Sequence, residues 1–122
     1  MLSFEEAADL MDEIAEGFPP EFFETLNGGI LFLPEEKLDP DVPGELYVMG
    51  EYCHDALGRY INLYYGSFQR VYPHLDREGL RQELFNTLAH EFTHHLESLA
   101  GERGLEKKDE EDLLEYLEQF RK

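Results

Sequence analysis

Apolar positions recur with helical spacing at both ends of the chain and with strand spacing in its middle. Ala7, Leu10, Met11 and Ile14 fall on one face of a helix that Ser3 and Glu6 open as a capping box and that runs to about Glu16. Gly17 is its expected stop, and "FPPEFFETLNGG" reads as a second, short helix with Pro20 near its first turn and Asn27-Gly28 behind it. The apolar run Ile30 to Leu33 predicts a buried strand closed by Pro34. "KLDPDVPGE" is a loop, "LYVMGEYC" a strand and "HDALG" a turn. "RYINLYYGSFQRVY" then alternates, with Tyr60, Asn62 and Tyr64 on one side and Ile61, Leu63 and Tyr65 on the other, which predicts a strand from Tyr60 to Phe68.

After Pro73, Asp76 caps a long predicted helix from Arg77 to Ala100, with Gly101 as its stop. "DEEDLLEYLEQF" closes the chain as a helix on Leu113, Leu114, Leu117 and Phe120. Neither repeats nor a low-complexity linker interrupt the 122 residues, so the expectation is a single α+β domain over 1–122, with N- and C-terminal helices and one long helix packed on a small sheet.

Composition narrows the partners. With 28 acidic and 10 basic residues the formal charge is −18, a field that repels phosphate backbones and anionic lipid. Nucleic acid and membranes are therefore not expected partners, although plain solubility accounts for most of the acidity. The single cysteine, Cys53, excludes an internal disulfide and suits a reducing compartment. No apolar run reaches the ~20 residues that cross a bilayer, and the acidic N-terminus lacks the basic start of a signal peptide. The expected location is the cytoplasm.

The candidate chemistry lies in "NTLAHEFTHHLESLAG". At about 100° per residue, Leu80, Leu84, Leu88, Phe92, Leu96 and Leu99 form one apolar arc, and His90 and His94 lie together at its edge. Imidazoles at i and i+4 can close on one tetrahedral cation, with the intervening Glu91 beside the same cleft as a base for water. The HExxH pattern fixes only three positions and chance matches are common; two solvent-facing histidines without metal are the plain alternative. Uncharged Phe92 and Thr93 and the strong helical period favour a zinc site. His95 falls inside the apolar arc and is expected to be packed, not a ligand. Glu97 is about 10.5 Å along the helix from His90, too far for a shared metal, though within reach to steer a ligand or substrate. Carboxylates beyond Gly101 can fold back: Asp109 foremost, with Glu106 and Asp112 as neighbours, though a solvated acidic face explains any single one of them better.

With these residues in place, the chain resembles the small, single-domain bacterial zincin-like metallopeptidases, a group once catalogued as a domain of unknown function. The likeness covers nearly the whole length: an acidic first helix, the glycine-containing "YVMGEY", the strand "RYINLYYGSF" and "HEFTHH" on a long helix come in that order. It implies a minimal zincin-like fold, a zinc cofactor, His90 and His94 as ligands, and Glu91 as the catalytic carboxylate. The family pattern HExxHxxGxxD is not kept, because Glu97 stands at the glycine and Ala100 at the aspartate. The acidic tail "KDEEDLL" resembles the family segment after the ligand, which makes Asp109 the implied third ligand.

Two functions follow from this reading. One is a zinc-dependent peptidase acting on peptide or protein, with the Tyr60 to Phe68 strand offering an edge to an extended substrate. The other is a non-catalytic relative with a degenerate metal site, serving as an interaction module. A ribonuclease built on three histidines is disfavoured by the charge and by the lack of a suitably spaced third histidine. Self-association into a homodimer is left open.

Overall fold

A computed structural model describes residues 2–42 and 46–103. The predicted closing helix on Leu113 to Phe120, and Glu106, Asp109 and Asp112, lie outside the described residues.

The capping box of helix α1 (Phe4–Glu16) forms: Ser3 Oγ accepts the Glu6 amide at 3.1 Å and Glu6 Oε1 accepts the Ser3 amide at 3.1 Å. That start orients Ala7, Leu10, Met11 and Ile14 inward, and all four are buried. A short helix α2 (Glu21–Glu24) buries Phe22 and leads into strand β1 (Gly29–Leu33). Strands β2 (Gly50–Asp55) and β3 (Gly58–Tyr64) form a hairpin, followed by helix α3 (Tyr65–Val71) and the long helix α4 (Arg77–Arg103). At the hairpin turn Asp55 Oδ1 accepts the Leu57 amide at 2.8 Å, and Gly58 takes a positive φ of 103° that few other residues tolerate.

The sheet order is β1-β3-β2, with β3 central, parallel to β1 and antiparallel to β2. The alternation read from the sequence holds along β3: Ile61 and Leu63 are fully buried beneath α4, while Tyr60 and Asn62 are half-buried on the other face. The apolar arc of α4 also holds, since Leu80, Leu84, Leu88, Phe92, Leu96 and Leu99 are all buried. Phe92 sits amid Phe18, Phe22 and Phe23, with ring centroids 5.2–5.4 Å from its own. Asp76 Oδ1 accepts the Gly79 amide at 2.7 Å and so caps α4 as expected. The chain is an α+β domain with helices packed on a three-stranded sheet.

Four expectations change. The strand ends at Tyr64 instead of reaching Phe68, because Tyr65 and Phe68, three apart, are both buried by a helical turn. Gly66 permits that turn: a Cβ there would lie 2.5 Å from the Glu35–Glu36 backbone. With β3 in the centre of the sheet, it has no free edge for an extended substrate; β2 has β3 on one side and, among the described residues, no strand on the other. β1 is a half-buried edge strand, with Leu31 44% exposed, because nothing among the described residues covers its outward face. Helix α4 runs through Gly101 to Arg103, since glycine weakens a helix by only ~1 kcal/mol and does not force a stop. Among the described residues, no helix is long and apolar enough to cross a membrane.

Candidate metal centre

The motif residues meet at a cleft between β2 and α4. Gly50, Glu51 and Tyr52 form one wall and His90, Glu91, His94 and Ser98 the other, around an open volume of about 560 Å³. The cleft continues past Val48, Met49, Asn86 and Thr87. Gly50 sets the separation of the walls: a Cβ there would lie 2.9 Å from both Leu63 Cδ2 and Thr87 Cγ2. Only the bare backbone lets the helix come this close to the strand.

His90 and His94 are exposed, and their Nε2 atoms converge to 3.0 Å with the rings at 87°. Two nitrogens coordinating one tetrahedral zinc at ~2.05 Å would stand about 3.3 Å apart, so this pair is nearly at coordination distance. Glu91 lines the same cleft but is only 5% exposed. Burial pushes its carboxyl above the usual range, and the nearby Glu51 charge adds to this; His94 and the Tyr52 backbone amide offset only part of it. The result is two open nitrogen donors beside a carboxyl group with an elevated proton affinity.

His95 behaves as its place in the apolar arc predicts. It is fully buried, with Nε2 2.9 Å from Thr25 Oγ1 and Nδ1 2.8 Å from the Tyr52 hydroxyl. Arg59, itself buried, donates through Nη1 to the Tyr52 hydroxyl at 2.8 Å and to Ser98 Oγ at 2.6 Å. One arrangement that satisfies these groups has Tyr52 accepting from Arg59 and donating to His95 Nδ1, with a neutral His95 donating from Nε2 to Thr25. This chain ties α2, α4, β2 and β3 together behind the cleft.

Glu51, also on the cleft wall, is already engaged. Lys37 Nζ donates to its two oxygens at 2.8 and 3.0 Å, Asn62 donates at 3.2 Å, and the Tyr64 hydroxyl donates to it as well. Burial alone would raise its pKa, but these bonds outweigh that and hold the carboxyl below its usual range. Glu97 is exposed and does not line the cleft. Among the described residues, no three His, Cys, Asp or Glu side chains form a metal-binding group. Thus His90 and His94 fit two positions of a zinc site, and a zinc centre requires a third protein ligand from elsewhere. Asp109, expected in that role, lies outside the described residues. Glu51, Tyr52 and Ser98 were not singled out from the sequence. Only the alternation around "GEYC" and the i+4 spacing of Ser98 from His94 could have marked them.

This arrangement defines an α+β domain with a histidine-bearing helix packed against a strand that, among the described residues, lies at the edge of the sheet. A solved structure of a conserved hypothetical protein from Thermo thermophilus is similar to it, at 36% identity and a TM-score of 0.71 over 82% of this chain and 99% of that one. The chain belongs to the same family as that protein. No family model matches the chain. No curated protein matches it either.

Proposed function

We propose that the protein is a zinc-dependent peptidase of the minimal zincin-like type, with His90 and His94 as metal ligands, Asp109 as third ligand and Glu91 as general base. The supporting observation is the pair of Nε2 atoms 3.0 Å apart beside the buried Glu91. When bound, zinc would acidify a water molecule and polarise the scissile carbonyl. Glu91 takes the proton from the attacking water and later delivers it to the leaving amine. Burial raises its proton affinity, the direction that both transfers need. An extended peptide lies in the cleft along β2, whose outer side no strand covers among the described residues. A cytoplasmic location and peptide or protein substrates, not nucleic acid, belong to the same proposal.

Elemental analysis of the purified protein tests it. The expected content is one zinc per chain, lost in His94→Ala, with peptide hydrolysis lost in Glu91→Gln while zinc is retained. Absence of stoichiometric zinc uptake refutes the proposal. The second reading, a non-catalytic interaction module, is favoured by Glu97 and Ala100, which stand where the family pattern has glycine and aspartate. It predicts that His90→Ala leaves metal content unchanged while a partner still co-purifies.

A further inference from the structure

Ser98 ends the buried hydrogen-bond chain at the surface of the cleft. Its Oγ accepts from Arg59 Nη1 at 2.6 Å, a short charge-assisted contact. A hydroxyl that accepts in this way keeps its own proton to donate. Among the described residues, no hydrogen bond uses that proton: the only contact Ser98 Oγ makes is the one it accepts from Arg59, whereas Thr93, on the same helix, spends its proton on the Ala89 carbonyl at 3.0 Å. Ser98 is half-buried and lines the cleft with His90, Glu91 and His94.

Position decides what the proton could reach. Ser98 is one turn beyond His94, about 6 Å along the helix axis. An extended peptide advances about 3.3 Å per residue, so a chain whose scissile bond lies at the histidines passes Ser98 about two residues away. At that distance it presents a backbone carbonyl, which is an acceptor and matches the unused donor. The guanidinium behind Oγ polarises the hydroxyl and strengthens the bond it can give.

We infer that Ser98 is a substrate-binding residue, donating its hydroxyl proton to a backbone carbonyl of an extended peptide about two residues from the bond to be cut. This inference rests on the proposed peptidase reading for the placement of the peptide, but its test separates the two. The probe is an N-acetylated, C-amidated hexapeptide of alternating lysine and alanine, its cations suited to a chain of net charge −18. It is titrated calorimetrically into zinc-loaded full-length protein carrying Glu91→Gln, which prevents cleavage.

Ser98→Ala in that background should weaken binding about five- to tenfold, the loss of one hydrogen bond. Ser98→Thr, which keeps the hydroxyl, should bind within about twofold of the parent; zinc content should match in all three, and the titrations are run well below the melting temperature of the alanine variant, which loses an acceptor for the buried Arg59. The inference is overturned if the alanine variant binds as tightly as the parent, if the threonine variant is as weak as alanine, or if the parent does not bind the peptide. Zinc content reports separately on the peptidase proposal. Where no zinc is taken up, the titration without metal decides: a loss confined to Ser98→Ala supports the contact while the metal assignment falls, and equal binding overturns both.

Discussion

His94 and His95 are neighbours in sequence with opposite environments, so alanine at each should have opposite consequences. His95→Ala removes a fully buried ring that bridges Thr25 and Tyr52 at 2.9 and 2.8 Å. Two buried hydrogen bonds contribute about 1 kcal/mol each, and the hydroxyls left behind lose partners in a place water does not easily reach. The lost ring also leaves a cavity among Tyr52 and Phe92, whose centroids lie 5.2 and 6.4 Å from it, adding about 1–3 kcal/mol. The total is about 3–5 kcal/mol, out of the 5–15 kcal/mol typical of a domain, or a fall of about 10–20 °C in melting temperature. His94 is exposed and, among the described residues, its ring meets His90 at the rim, so His94→Ala should change stability by no more than about 0.5 kcal/mol. Urea unfolding of metal-free protein measures both. Equal costs at the two positions, or a near-zero cost at His95, would refute the assignment of one histidine to the rim and the other to the core.

Glu91→Gln should make the metal-free protein more stable at neutral pH. The folded-state pKa is raised by burial above its unfolded value, so the native state holds the proton more tightly. The parent therefore loses stability as pH rises through the window from the ordinary glutamate value to the raised native one, and the glutamine variant does not. Urea midpoints from about pH 4 to 8 should converge at the acid end and separate above it; parallel profiles would contradict this. Gly58→Ala should cost about 2–3 kcal/mol in thermal melts, since φ is 103° and the new Cβ would run into the Asn27 side-chain amide. Gly66→Ala should also destabilise, by about 2 kcal/mol or more, because its Cβ meets backbone at 2.5 Å instead of a side chain that can turn aside. A melting temperature unchanged in either variant would count against the close approach.

Local patterns carried most of the helical architecture. The capping box at Ser3 and the arc from Leu80 to Leu99 are encoded within a few residues of each other, and so is the burial of His95. The change from strand to helix at Tyr65 was not legible, because the alternation of Ile61, Leu63 and Tyr65 carries the strand pattern up to that residue, and one buried i, i+3 pair, Tyr65 and Phe68, is too short to set a helical period. Nor was strand order: β1 pairs with β3 across 31 positions, from Gly29 to Tyr60, and pairing of that range leaves no mark in a window of sequence. The motif placed His90, Glu91 and His94 at one cleft, but the opposite wall at Gly50, Glu51 and Tyr52 depends on which strand takes the edge. A buried Arg59 supporting Tyr52 and Ser98 runs against the usual exposure of arginine and had no signal of its own.

The wall of the cleft is electrostatically costly as it stands. Glu91 is buried near a second carboxylate, Glu51, and the cation closest to Glu51, Lys37, is committed to it by two hydrogen bonds. Position 91 is close enough to the apolar arc for a leucine or methionine to fit the wall with no such penalty. On the proposed reading the cost has a use: a carboxyl kept from water and lifted in proton affinity is a better base than one solvated on the helix surface, and the neighbouring imidazoles mark where positive charge would sit. The same logic explains why Glu51 is paired with Lys37 and hydrogen-bonded by Tyr64 instead of being left free, since a second unpaired carboxylate would compete for that charge. The discriminating variant is Lys37→Met, which frees Glu51 without touching the helix. Loss of Lys37 should raise the Glu51 pKa toward its ordinary value and strengthen the repulsion on Glu91, moving Glu91 further up. Carboxyl carbon titrations by NMR on metal-free protein would register both movements. A Glu91 resonance that titrates identically in parent and variant would show that the two carboxylates do not sense each other.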